Sequence, residues 1–164
     1  MILTFCGHSS LLATEEINER ILYTLKTVVG NNACDIYLGG YGDFDEIAYQ
    51  CCKKYKSDNP NISLVLVTPY LTENYQKTRL EYQKDKYDFI LYPEIENKPL
   101  KFAITYRNRW MVDKSDFVIC AITHTYGGAY KTYLYAKRRK KQIYNVTESN
   151  FIQNFSKNNA QVYL

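Results

Sequence analysis

Short, continuous apolar runs recur along this chain, and most are followed by a longer amphipathic stretch. Ile2 to Cys6, Asp35 to Leu38, Ser63 to Val67, Asp88 to Tyr92, Phe117 to Ile122 and Gln142 to Val146 read as strands. Runs without polar alternation are covered on both faces, which is the habit of a parallel sheet flanked by helices. Thr14 to Val29 is helical, with Ile17, Ile21, Leu22, Leu25, Val28 and Val29 on one face and Gly30 as its stop. A second helix starts at Asp43, where Asp43-x-x-Glu46 has a capping-box form. The polar stretch through Lys86 is helical or irregular, Pro93 to Pro99 is a loop, and Phe102 to Asp113 and Ala129 to Lys140 are helices. The expected fold is a Rossmann-like three-layer α/β/α domain with a mainly parallel sheet of five to six strands. It spans residues 1–146, and residues 147–164 form a polar extension, with one short helix or an edge contact, packing on it.

In such sheets ligands bind beyond the carboxyl ends of the strands, near the switch in strand order. Five of the seven glycines lie in two of the strand-end loops, Gly39-Gly40-Tyr41-Gly42-Asp43 and Thr123 to Gly128. Gly7-His8-Ser9 and Thr68-Pro69-Tyr70 are the other two. Glycine lets a ligand approach the backbone closely, so Gly7, His8, Ser9, Gly39, Gly40, Gly42, Thr68 and Pro69 are candidate contacts. Gly127-Gly128 sits directly before a helix, whose free amides and dipole attract phosphate, and Lys131 and Thr132 add a charge and a hydroxyl. The pattern is not a P-loop, because Tyr130 stands where a glycine is needed, and no G-x-G-x-x-G occurs.

The second loop has the opposite sign. Asp43 caps its helix, whereas Asp45 and Glu46 suit ribose hydroxyls or general acid/base work and are the candidate catalytic carboxylates. Arg107, Asn108 and Met111 share one side of their helix, so Arg107 and Asn108 join the candidate binding residues. One arginine of Arg107-Asn108-Arg109 is placed to clamp a phosphate, and the other to pair with Asp113 or Asp116. His8 and His124 each offer a base or a phosphate contact. They make no metal site, and no cofactor is required.

The composition is that of a globular protein, 46% hydrophobic and 23% charged, with 17 tyrosines and a net charge of +4. Lys137 to Lys141 is a basic run that suits a helix C-terminus better than a nucleic-acid face. The five cysteines, Cys6, Cys34, Cys51, Cys52 and Cys120, read as buried free thiols in a reducing compartment. With neither a signal peptide nor a membrane span, a cytoplasmic location away from membranes is expected.

Taken together, Thr4-Phe5-Cys6-Gly7-His8, the Gly39 to Asp45 loop, Thr68-Pro69-Tyr70, Arg107 to Asp116 and Thr125-Tyr126-Gly127-Gly128 resemble the SLOG superfamily. This Rossmannoid group includes the LOG (lysine-decarboxylase-like) and DNA-processing Smf proteins. The order and spacing of the pieces are most similar to the small stand-alone branch of YpsA/YspA-type proteins. The resemblance covers Ile2 to Val146 and implies a nucleotide-derived ligand held by the glycine loops. LOG enzymes carry R-K-x-x-M followed by P-G-G-x-G-T-x-x-E. Arg107 and Met111 match the first part, but Tyr130, Lys131 and Leu134 replace the third glycine, the threonine and the glutamate. The LOG route to phosphoribohydrolase activity is thereby disfavoured. The expected function is binding, sensing or sequestering of a nucleotide-type small molecule, with a hydrolase of N-glycosidic or phosphate bonds as the alternative. An Smf-like nucleic-acid binder ranks last, so nucleic acid is not expected as a partner. A homo-oligomer is compatible with the tyrosine-rich surface.

Overall fold

The computed structural model describes residues 1–160, and side chains as far as residue 156. Residues 161–164 of the expected extension lie outside the described residues. In chain order the elements are β1 (Ile2–Gly7), α1 (Glu15–Val28), β2 (Cys34–Leu38), α2 (Asp43–Asp58) and β3 (Ile62–Val67). Next come α3 (Glu73–Tyr75), a π-helical turn (Gln76–Leu80), α4 (Glu81–Gln83) and β4 (Phe89–Leu91). A 3-10 turn (Leu100–Phe102) leads into α5 (Ala103–Lys114), followed by β5 (Phe117–Ala121), α6 (Gly127–Arg138), β6 (Gln142–Asn145) and α7 (Phe151–Ala160). The six strands form one sheet in the order β4-β3-β2-β1-β5-β6, and every pairing is parallel. The expected Rossmann-like α/β/α fold is the fold observed.

Side chains alternate between the two faces even though each run is apolar throughout. Leu3 and Phe5 of β1, Ile36 and Leu38 of β2, and Ile119 and Ala121 of β5 enter the core under α1, α2 and α7. Cys6, Val118 and Cys120 face Val112 of α5 and Ala136 of α6. Tyr37, Val65 and Val67 meet Met111 on that same side. Ile21 and Leu25 of α1 are fully enclosed, each contributing roughly 1.5–3 kcal/mol of apolar burial. Thr14 caps α1 by accepting from the Ile17 amide. All five cysteines are free and buried. No helix among the described residues is long and apolar enough to cross a membrane.

Two local expectations are corrected. The capping box at α2 does not form, because Gly42 occupies the N-cap with φ +91°, a conformation that a β-carbon resists. Asp43 turns outward instead and accepts from the Leu11 amide at 3.0 Å, while its own N–H donates to the Ser9 carbonyl at 2.9 Å. This helix start thus fastens the loop after β1. At α6 the helix begins at Gly127, two residues ahead of the expected Ala129, so the glycine pair lies inside its first turn.

Candidate functional site

The sheet order changes direction at β1, which lies between β2 and β5, and a cleft of about 490 Å³ opens beyond the carboxyl ends of these strands. Gly7, His8 and Ser9 line it from the end of β1 and the loop after it, Gly39 from the loop after β2, Asp45 from the first turn of α2, and Arg107 and Asn108 from α5. His124 and the α6 start at Gly127-Gly128 close the other side. Ten residues put forward from the sequence, His124 among them, therefore meet in one place. No side chain caps α6, and β-carbons built at Gly127 and Gly128 would meet nothing within 4 Å. That start is therefore open to an anion.

Arg107, one of the two arginines from which a phosphate clamp was expected, is held by backbone partners at the cleft wall. The side chain is only 2% exposed, and its Nη1 donates to the carbonyls of Gly39 (2.7 Å) and Val67 (2.9 Å). It ties the end of β2 to the end of β3, and its Nε has no hydrogen-bond partner. A β-carbon at Gly39 would lie 2.5 Å from Nη1, so only glycine permits this approach. Burial lowers the Arg107 pKa and the Asp45 charge opposes that shift. A guanidinium stays protonated all the same. Asp45 accepts from the Tyr41 amide at 2.8 Å. Burial pushes its pKa up, while the Arg107 charge and the Tyr41 N–H pull it down. A carboxyl poised in this way can hold or release a proton inside the cleft.

Several other expected residues lie elsewhere. Glu46 is exposed, takes a hydrogen bond from Gln50 and pairs with Lys86, and does not line the cleft. Gly40, at φ +65°, backs onto Leu66 and Gln83. Gly42 packs on Ser9. Thr68 and Pro69 are buried, and the Thr68 hydroxyl bonds to the Tyr70 carbonyl. Lys131 and Thr132 line a separate groove between α5 and α6, where the Thr132 hydroxyl donates to the Gly128 carbonyl at 3.0 Å. Arg109 pairs with neither Asp113 nor Asp116. Its guanidinium lies over the rings of Tyr106 and Tyr135, Asp113 is held by Arg139 and Tyr135, and Asp116 accepts from the Ile2 amide.

Sequence reasoning treated the two histidines as separate contacts, but they stack. Ring centroids of His8 and His124 are 3.4 Å apart, and Tyr126 continues the column 3.9 Å beyond His124. His8 Nε2 and His124 Nδ1 have no hydrogen-bond partner. His8 is 5% exposed, and burial lowers its pKa, as does the nearby His124 imidazole, against a hydrogen bond to the His124 backbone. Tyr126 was not singled out from the sequence, although an aromatic residue ahead of a glycine pair is a usable sign. Tyr126 is 71% exposed at the rim, and Tyr41 is 61% exposed. Among the described residues no three His, Cys, Asp or Glu side chains gather to hold a metal.

No family model matches the sequence, and no curated protein matches it. Solved structures do resemble it. DNA processing protein A from Helicobacter pylori, described for its mode of binding single-stranded DNA, superposes with a TM-score of 0.58 at 18% identity, over 87% of this chain and 63% of that one. DNA processing protein A from Streptococcus pneumoniae gives 0.58 at 16% identity, over 86% and 48%. A structural-genomics target, TM1055, gives 0.53 at 12% identity, over 87% and 71%. The chain thus spans about half to two thirds of the length of the two DNA processing proteins. These neighbours overturn the exclusion of nucleic acid as a partner, since a protein of the same fold is described as binding single-stranded DNA. The sequence basis of that exclusion was the reading of Lys137 to Lys141 as a helix terminus, a poor guide when the fold itself offers strand-end loops. At such identities the likeness is one of fold, and the fold is the Rossmannoid one of the DNA processing proteins.

Proposed function

We propose that the cleft binds a nucleotide unit, with its phosphate at the α6 start and its base against the exposed aromatic rim. The carrying observation is the convergence, at the strand-order switch, of an uncapped helix start with an enclosed imidazole whose Nε2 has no partner. A phosphate satisfies both, and the Tyr126 ring supplies a face on which a base stacks. The unit is free or belongs to a strand, and the resemblance to the stand-alone branch favours the free form. The test is calorimetric titration with nucleoside monophosphates and with short single-stranded oligonucleotides, using the native protein and Gly128→Asp. Gly128 faces open space, so the variant keeps its fold while placing a carboxylate where the phosphate belongs. Binding by the native chain and at least a tenfold loss in the variant supports the reading. Equal affinity of both proteins, or no binding at all, defeats it.

A hydrolase is the second reading, favoured by Asp45, whose carboxyl is held up by burial inside the same cleft. If the ligand is turned over, Asp45→Asn stops release of base or phosphate from it. If it is only bound, the native protein leaves it intact.

A further inference from the structure

The cleft does not end at Gly128. A groove of about 320 Å³ runs on between α5 and α6, and it shares Ile104, Asn108 and Gly128 with the cleft as common walls. Its cations are Arg109, Lys131 and Arg138, and no acidic residue lines it. Lys131, Leu134 and Arg138 share one face of α6 at i, i+3 and i+7, which points both charges along the groove. A basic helix face is ordinarily balanced by nearby carboxylates or dispersed in solvent. Three neighbouring cations have structural partners: Arg139 pairs with Asp113, Lys141 bonds to the Asp113 and Ser115 carbonyls, and Lys137 lies over Tyr133. Arg109, Lys131 and Arg138 form no ion pair among the described residues. Arg109 is steadied between the rings of Tyr106 and Tyr135, at 6.0 and 5.4 Å, which orders the guanidinium without neutralising it.

We infer that this groove is a second phosphate subsite, so that the ligand of the cleft carries a further phosphate beyond the nucleotide seated there. The inference rests on the nucleotide reading of the cleft and extends it to a ligand class. Both a phosphodiester-linked neighbour and a pyrophosphate-linked second nucleotide present this chemistry. Either crosses Gly128, where the absence of a side chain leaves the passage open.

The experiment compares affinities of the four nucleoside 5′-monophosphates, of the 5′-phosphorylated phosphodiester dinucleotides built from them, and of the matching dinucleoside pyrophosphates. It uses the native protein and an Arg109→Gln/Arg138→Gln double variant, both positions being exposed. One of the two-phosphate ligands is expected to bind the native protein at least tenfold tighter than its monophosphate, and the linkage that gains identifies the source. The double variant is expected to lose that gain while keeping native affinity for the monophosphate. Its salt dependence should also become shallower, because fewer counterions are displaced. Monophosphate binding with no gain for either two-phosphate ligand, or a gain that survives in the variant, overturns the subsite and leaves the cleft reading standing. Failure of every ligand to bind the native protein defeats the cleft reading, and the subsite with it.

Discussion

An imidazole that is enclosed and stacked on a second imidazole gives up its proton more readily than one in water, and His8 is in that position. Its folded pKa lies below the reference value of 6.5, so the unfolded chain takes up the proton first as the pH falls. The stability due to neutral His8 is therefore complete above 6.5 and is lost as the pH drops from there through the lowered folded value. Urea unfolding at pH 7 and pH 5 should show native stability falling more steeply with acid than that of His8→Asn. An equal fall in both proteins would mean that His8 does not carry the linkage. At this scale the sequence was only partly legible. Gly7, Gly39, Gly127 and Gly128 were found because glycine marks close approach. The histidine stack escaped because nothing local to residue 8 or residue 124 records that β1 and β5 are neighbours.

Arg107 shows how one side chain organises elements. It leaves α5, passes beneath the cleft and bonds to carbonyls at the ends of β2 and β3, with the Asp45 carboxyl in its field. Replacing it with methionine leaves two buried carbonyls without their donor and the half-buried Asp45 carboxylate without its nearby cation, at a cost of roughly 2–4 kcal/mol. Chemical denaturation should show this loss, and a double-mutant cycle with Asp45→Asn should recover part of it. Strict additivity would show that the two groups do not interact. The elements themselves were readable from the sequence, since apolar runs and helical periodicity are local signals, and their bounds moved by only a few residues. The partners of Arg107 were not readable for a different reason: the sequence shows the charge but not the carbonyls that face it. Lys131 and Thr132 were assigned to the cleft because they follow Gly128 closely, yet the turn of the helix carries them into the next groove.

Across the whole molecule, the core under α1 and α2 is closed by the last described helix. Phe151 and Phe155 of α7 are buried, and Phe155 lies 4.8 Å from the ring of Tyr144 and 5.0 Å from that of Tyr23. Phe155→Ala should cost roughly 3–5 kcal/mol, as cavities at enclosed aromatic positions do. A loss well below that, read from the urea midpoint, would show that α7 contributes little to the closed core. The fold class was legible from the succession of strands and helices. The strand order was not, because long-range pairing leaves no mark on the periodicity of any one run.

The central place of β1 bears on how the protein comes into being. On its β5 side the first strand meets a segment that leaves the ribosome much later, and the Ile2 amide donates to Asp116 across 114 residues. Until β5 has emerged, β1 is an unpaired edge with its pairing groups open to other chains. The cleft beyond its carboxyl end has only half its walls during that time. Closing so long a loop comes late in folding, so the nascent chain is most vulnerable to misassembly just before the cleft is completed.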